Sequence, residues 1–447
     1  MTMKIHLKWT FLLLLLLSNL PLQAGESAET PGNTVAPSVD SLVAEALLKN
    51  ASLNASRHRQ AAAWAESRRE GAFAPPEIAV ETGRRTVSTM EGDMSMPVSG
   101  LVVRQMLMFP GKLSAMETAG HHQAAALGWD SRTEADRLTL QVRTLYYELY
   151  MLQSKAGINA ENRRVMEKFV SVARTQYEAG MGRMEDILRA QTELSRLRSE
   201  DVILSRKYRG MEAMLNAALD RPPGKVLGTI AAPETARLPL PVVDSLEVLA
   251  MAFRPELKAM AADVQMSQWE WTAAKRERYP DFMVEGKWMK MDGPDEWSAM
   301  AGITMPLAPW SSGGYRGARD AAERRWKEMR EREREMKNMV RAEIHRAVAD
   351  VEAARERFDL ALGATVPQAE QTLRATEASY RAGKTEFLML LDAYRMLFMA
   401  QEDLYMARAE LAVGWAALER SVGLPRDQIL ARSARLGQSA PSEGGSR

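Results

Sequence analysis

The sequence predicts a mainly α-helical protein whose long rods are joined to a membrane β-barrel. Three observations carry that expectation: a seven-residue apolar repeat, a duplication of the whole unit, and period-two hairpins ahead of each rod. The repeat is Leu138, Val142, Leu145, Leu149, Leu152 and Ala156, spaced 4-3-4-3-4, the seam of helices packed side by side. It lies in a stretch from Gly111 to about Tyr177 that contains no proline. As one helix this stretch spans about 100 Å, far more than a globular core needs.

The rod occurs twice. Val340, Ile344, Ala347, Val351, Ala354 and Phe358 repeat the spacing 202 positions further on. Ser41-Leu42, Leu53 and Pro76 return as Ser245-Leu246, Leu257 and Pro280 at an offset of 204, and Tyr177-Glu178-Ala179-Gly180 returns as Tyr380-Arg381-Ala382-Gly383 at 203. Two copies of this size are a duplicated unit and not a solenoid.

Composition narrows the setting. With 447 residues, 46% of them hydrophobic, the chain can bury a sizeable core. Residues 1–24 read as a signal peptide: Lys4 and Lys8, an apolar run from Phe11 to Leu17, then Leu22-Gln23-Ala24 before Gly25. Without that segment 57 basic residues face 58 acidic ones, a balance that gives no support to a nucleic-acid partner. No cysteine is present, which excludes a disulfide framework and a cysteine-linked lipid anchor. No later stretch is apolar for 18 residues, so membrane residence requires a barrel.

The elements follow in order. Residues 25–38 are a polar, flexible arm. A helix of roughly 34 residues runs from Val39 to about Phe73 and stops at Pro75-Pro76. From Glu77 to Met108 the period becomes two, with Leu101, Val103 and Leu107 alternating against Val102, Arg104 and Met106, and Glu91-Gly92-Asp93 as turn material. The second copy places Phe282, Val284, Gly286 and Trp288 on one face; beyond the Asp292-Gly293-Pro294 turn, Trp297, Ala299, Ala301, Ile303, Met305 and Leu307 form the apolar row. Such strands match the weak pattern of outer-membrane barrels.

Each rod ends at a glycine turn, Ala179-Gly180-Met181-Gly182 and Ala382-Gly383-Lys384, and a helix returns from about Met184 to Leu219 and from about Glu386 to Val422. The first repeat thus covers 39–220 and the second 244–425, joined by a Pro-rich linker at 221–243 and followed by a polar tail at 426–447. An entering and a returning helix together equal one rod, so two half-length helices lie end to end beside each full-length one. Gly363 and Pro367 predict a kink in the second rod. Four strands cannot close a barrel, so protomers must pool them; three copies would supply twelve.

These residues resemble the TolC-type outer-membrane efflux channels. The likeness spans nearly the whole mature chain: the duplication, Arg254-Pro255-Glu256-Leu257, and the paired Tyr-x-Ala-Gly turns. Asn50-Ala51-Ser52-Leu53 stands where the family usually has Asn-Pro-x-Leu. Phe109-Pro110-Gly111-Lys112-Leu113 resembles the heavy-metal branch, which serves copper/silver or cobalt/zinc/cadmium pumps. The resemblance implies a homotrimer in the outer membrane of a Gram-negative bacterium, with an α-barrel reaching through the periplasm. It also implies a periplasmic adaptor and an inner-membrane pump of the resistance-nodulation-division type as partners, and a passive duct that is not an enzyme.

On that reading the glycine turns are periplasmic tips, and Tyr177, Gly180, Asp186, Tyr380, Gly383 and Asp392 are the gate candidates. A ring of Asp392 carboxylates would favour cations; the alternative is that Asp186 and Asp392 are solvated helix faces. A Tyr380–Asp186 hydrogen bond would brace the closed tip. Of 29 methionines, Met90, Met94, Met96, Met289 and Met291 cluster at the hairpin turns. They could offer a soft metal transient thioether contacts, or serve simply as flexible filler. No nucleophile–base pair, phosphate loop or zinc spacing appears, and no cofactor is expected. Two other readings stay open: a periplasmic coiled-coil adaptor or structural protein, and the same duct exporting drugs or polypeptides.

Overall fold

The computed structural model describes residues 36–439 except 91, 181, 235–238, 291–293, 305, 307–309 and 311. The expected signal peptide and most of the expected arm lie outside the described residues. The arm's last residues are docked rather than flexible: Ala36 is buried and its N–H donates to the Thr229 carbonyl at 2.9 Å.

The first helical stretch is two helices, α1 (Val39–Lys49) and α2 (Ala51–Glu70). Asn50 leaves the helical region at ψ 124°, and its side chain caps α2 by accepting from the Leu53 N–H at 3.1 Å. The second copy breaks at the matching place, between α5 (Val243–Phe253) and α6 (Pro255–Arg276). There Pro255 disfavours helical geometry at Arg254.

Strands β1 (Glu77–Thr89), β2 (Gly92–Leu107), β3 (Phe282–Lys290) and β4 (Glu296–Ile303) form one antiparallel sheet in chain order. Thr89 pairs with Gly92, so Gly92 and Asp93 belong to β2 and not to the turn. The register aligns Ile78, Val103, Gly286 and Ala299, then Val80, Leu101, Trp288 and Trp297, on one face. The opposite face is ionic: Arg104 bridges Glu285 at 2.8 Å and Glu77 at 3.3 Å, and Lys287 pairs with Glu81. β3 has nine residues; tilted by about 40°, it rises about 23 Å, close to the roughly 25 Å apolar band of membrane barrels.

The rod α3 (Lys112–Glu178) is a single helix of 67 residues that passes Gly157 without interruption. It is followed by α4 (Met184–Ala218). The second rod is divided into α7 (Ser312–Leu360) and α8 (Val366–Arg381) by a π turn, Ala361–Thr365. Pro367 has no N–H for the Gly363 carbonyl and its ring crowds that oxygen, so the wider turn is how the chain accommodates it. α9 (Phe387–Val422) returns, and α10 (Arg426–Ser439) follows. The last helix corrects the expected tail: Ile429 is wholly buried, and Leu430 and Leu436 pack on the same core.

Packing follows the seams. Leu138, Val142, Leu145, Leu149 and Leu152 are buried, as are all six apolar seam residues of α7. α3 packs against α2 and α4, and the Asn50 amide donates to the Ala218 carbonyl at 3.0 Å. The half-length helices therefore meet end to end beside the rod. The linker lies over this junction: Gln153 exchanges hydrogen bonds with Ile230, and Arg221 pairs with Glu45. Among the described residues no helix is long and apolar enough to cross a membrane.

Candidate functional site

The two glycine turns sit at the ends of the rods remote from the sheet, about 100 Å along α3. Gly180 (φ +72°) and Gly383 (φ +67°) adopt the left-handed geometry that stops each helix. Gly180 N–H donates to the Tyr177 carbonyl at 2.9 Å, and Gly383 N–H to that of Tyr380 at 3.0 Å. A Cβ at either glycine would meet open space, so geometry alone demands glycine there.

Aromatic residues from both repeats hold the tips together. Phe169 of α3 packs edge-on against Phe387 and Tyr394 of α9, with ring centroids 5.8 and 4.7 Å apart. Tyr380 completes the group 6.1 Å from Phe387. Its hydroxyl donates to Gln176 Oε1 at 2.8 Å, not to Asp186 as expected. Burial pushes the Tyr380 phenol up, and the nearby Asp186 charge adds to this while the Gln176 bond opposes it. Asp186 lies in the first turn of α4. Tyr177 is half exposed.

Asp392 stands half exposed on α9 and pairs with Arg395 at 3.5 Å. Arg395 also reaches Glu193 of α4 at 2.7 Å, and Arg196 holds the same carboxylate at 2.7 Å. Glu193 is only 4% exposed. Burial works to raise its pKa, but the two guanidiniums outweigh burial and hold the carboxyl below its ordinary value. The sequence reading missed Glu193. Its signal was a carboxylate on the stripe Ile187, Ala190, Glu193, Leu197, where apolar residues are the rule.

In the ladder Met94, Met96 and Met289 occupy separate positions. Met90 is fully exposed at the end of the first hairpin. Met94 and Met96 pair with Val87 and Arg85 in the ladder, whereas Met289 stands beside Gly100, four residues further along β2 than Met96. Met291 lies outside the described residues. Among the described residues no group of three His, Asp or Glu side chains is placed to hold a metal ion. His121 packs on Trp64 at 5.2 Å.

Two motif residues have structural partners. Arg254 is buried and donates to Glu343 at 2.5 Å, to the Ser421 carbonyl at 3.2 Å and to Glu256 at 3.2 Å. Lys112 is buried and donates to Asp281 at 2.8 Å and to the Tyr279 carbonyl at 3.0 Å, while Phe109 stacks on Tyr279. The Phe109–Lys112 segment thus locks the start of α3 to the start of β3.

The family model described as outer membrane efflux protein matches residues 42–220 and 247–424. No curated protein matches the chain in sequence. Among solved structures, the outer-membrane channel OprN superposes with a TM-score of 0.76 at 19% identity, covering 86% of this chain and 89% of its own. CusC gives 0.75 at 18%, covering 86% and 92%. VceC, an outer membrane protein of Vibrio cholerae, gives 0.72 at 19%, covering 87% and 96%. At these identities the likeness is one of fold.

Proposed function

Because the chain belongs to the outer membrane efflux protein family, we propose that it is the outer-membrane duct of a tripartite efflux system. It assembles as a homotrimer and carries heavy-metal ions of the copper and silver type. The observation that carries the duct is the sheet. It has one apolar face, one ionic face and two unpaired edges, and it stands on rods about 100 Å long. Edges left open in lipid are not viable; three protomers pooling twelve strands would remove them.

The apolar face then meets lipid and the Glu77–Arg104–Glu285 face lines the lumen. The paired tips, with Tyr177, Gly180, Asp186, Tyr380, Gly383 and Asp392, form the gate and the docking place of a periplasmic adaptor and its inner-membrane pump. An Asp392 ring, tempered by Arg395, favours cations. The metal cargo rests on the resemblance of Phe109–Leu113 to the heavy-metal branch and on Met90, Met94, Met96, Met289 and Met291 as transient soft contacts. A cargo of drugs or polypeptides is the second reading, favoured by the structural work that Phe109 and Lys112 do. The adaptor reading would need a soluble periplasmic protein.

The test is growth of a deletion strain across graded copper, silver, zinc and detergent, with fractionation of the wild-type protein. Copper or silver sensitivity with a heat-modifiable oligomer in outer membranes is expected. Detergent sensitivity alone would move the cargo to organic compounds, and a soluble monomer would end the duct reading.

A further inference from the structure

The foot of the sheet carries a cationic, aromatic cleft that none of the roles above uses. It lies between the end of α6 and the first turns of α7, has a volume of about 530 Å³, and presents Lys275, Arg278 and Arg319 beside Trp271, Tyr279 and Tyr315. Aromatic faces hold two of these cations without neutralising them. The Lys275 ammonium sits 4.0 Å from the centre of the Trp271 ring. The Arg278 guanidinium sits 4.7 Å from that of Tyr279 and donates to its hydroxyl at 2.8 Å. The acid in the lining, Glu323, is taken by Lys327 at 2.6 Å, and Asp320 offsets Arg319 at 2.6 Å. The cleft keeps a net positive charge. The Trp271 indole nitrogen is buried and has no hydrogen-bond partner, although buried donors are normally satisfied.

The cleft opens between the last turns of α6 and the first turns of α7, just short of the sheet. The lipid-facing row of the sheet begins at Phe282, three residues after Tyr279, so the cleft lies at headgroup level. Trp310, 89% exposed, is a further indole of the kind found at such boundaries.

We propose that this cleft binds the phosphate of an anionic phospholipid from the periplasmic leaflet of the outer membrane. Lys275 and Arg278 supply charge that no acid offsets, Arg319 adds a guanidinium shared with Asp320, and the buried Trp271 N–H at the edge of the cleft lacks a partner. The proposal rests on the barrel reading of the sheet. A bound lipid would tie α6 to α7 where the rods meet the membrane and set the depth at which the barrel rides.

Native mass spectrometry of the full-length oligomer, released from nanodiscs of phosphatidylethanolamine and phosphatidylglycerol, tests it. About one phosphatidylglycerol per protomer should be retained. Arg278→Gln, at an exposed side chain that folding does not need, should weaken retention about fivefold, and the Lys275→Gln, Arg278→Gln, Arg319→Gln triple variant roughly a hundredfold. Phosphatidylcholine should not be retained, and inorganic phosphate should not displace the lipid. Equal retention by wild type and triple variant, equal retention of phosphatidylcholine, or displacement by inorganic phosphate would each overturn the proposal. Planar-bilayer conductance of the same samples reads the duct separately. A conducting oligomer with no lipid preference sinks this inference alone, whereas a protein that never inserts sinks the duct reading as well.

Discussion

Arg395 of the second repeat holds Glu193 of the first at 2.7 Å, with that carboxylate buried between it and Arg196. The pair ties α4 to α9 just inside the tips. Removing one partner of a buried pair costs about 3–5 kcal/mol when the remaining charge is left alone. Arg395→Ala should cost less, because Arg196 still meets Glu193. Both Arg395→Ala and Glu193→Ala should loosen the tip and raise single-channel conductance of the isolated oligomer. Unchanged current in both variants would mean the pair holds the helices without restraining the gate.

The bond from Tyr380 to Gln176 makes a second, separable prediction. Tyr380→Phe and Gln176→Ala each delete it, at about 1 kcal/mol. Their double variant should cost no more than the larger single one, the non-additivity expected of direct partners. Asp186→Asn leaves both ends of the bond in place and removes only the charge near the Tyr380 phenol, so it should cost less than either deletion in thermal dissociation of the oligomer.

Asn50 and Arg254 stand at the same place in the two repeats, and each donates to the last turn of its returning helix, at Ala218 and Ser421. The chemistry differs. Asn50 makes one neutral bond and a cap, so Asn50→Ala should cost about 1–2 kcal/mol. Arg254 is buried against Glu343 and Glu256, which Arg420 also reaches, so Arg254→Ala should cost about 3 kcal/mol, the lower end for a buried pair. Thermal dissociation temperatures of the two variants check the order. Equal losses would mean that the glutamates find water or another cation.

What was legible in the sequence was periodic. The 4-3 seams, the alternating strands and the glycine stops each repeat a local pattern, and Val142 and Val351 are fully buried as their spacing requires. The helix breaks were not read: Pro255 disfavours helix at Arg254, but Asn50 is followed by no proline, and its cap emerges only once Leu53 N–H is in place. Cross-repeat polar contacts left no trace, because Gln176 and Tyr380 lie 204 residues apart and nothing local selects glutamine over Asp186. The tail looked polar because Ile429, Leu430 and Leu436 stand among charged and small residues, and only their packing on the core against α5 and α9 shows why they are there.

The linker offers a test by pH. Arg221 Nε donates to Glu45 at 2.9 Å and its other arm closes a second bond, with Lys49 at 3.1 Å. The Arg221 bonds, opposed by burial and helped by Lys49, take the Glu45 carboxyl from 4.5 down to about 2. A carboxylate depressed in the folded state binds its proton more weakly there than in the unfolded chain. Its contribution is therefore complete above about pH 4.5 and is lost as pH falls toward 2. Glu45→Gln should lower stability by about 2 kcal/mol at pH 7 and by little at pH 2. Plotting the dissociation temperature of wild type minus variant between those limits isolates this one group from the other acids. A difference that stays flat with pH would show that Arg221 holds the linker through packing and not through charge.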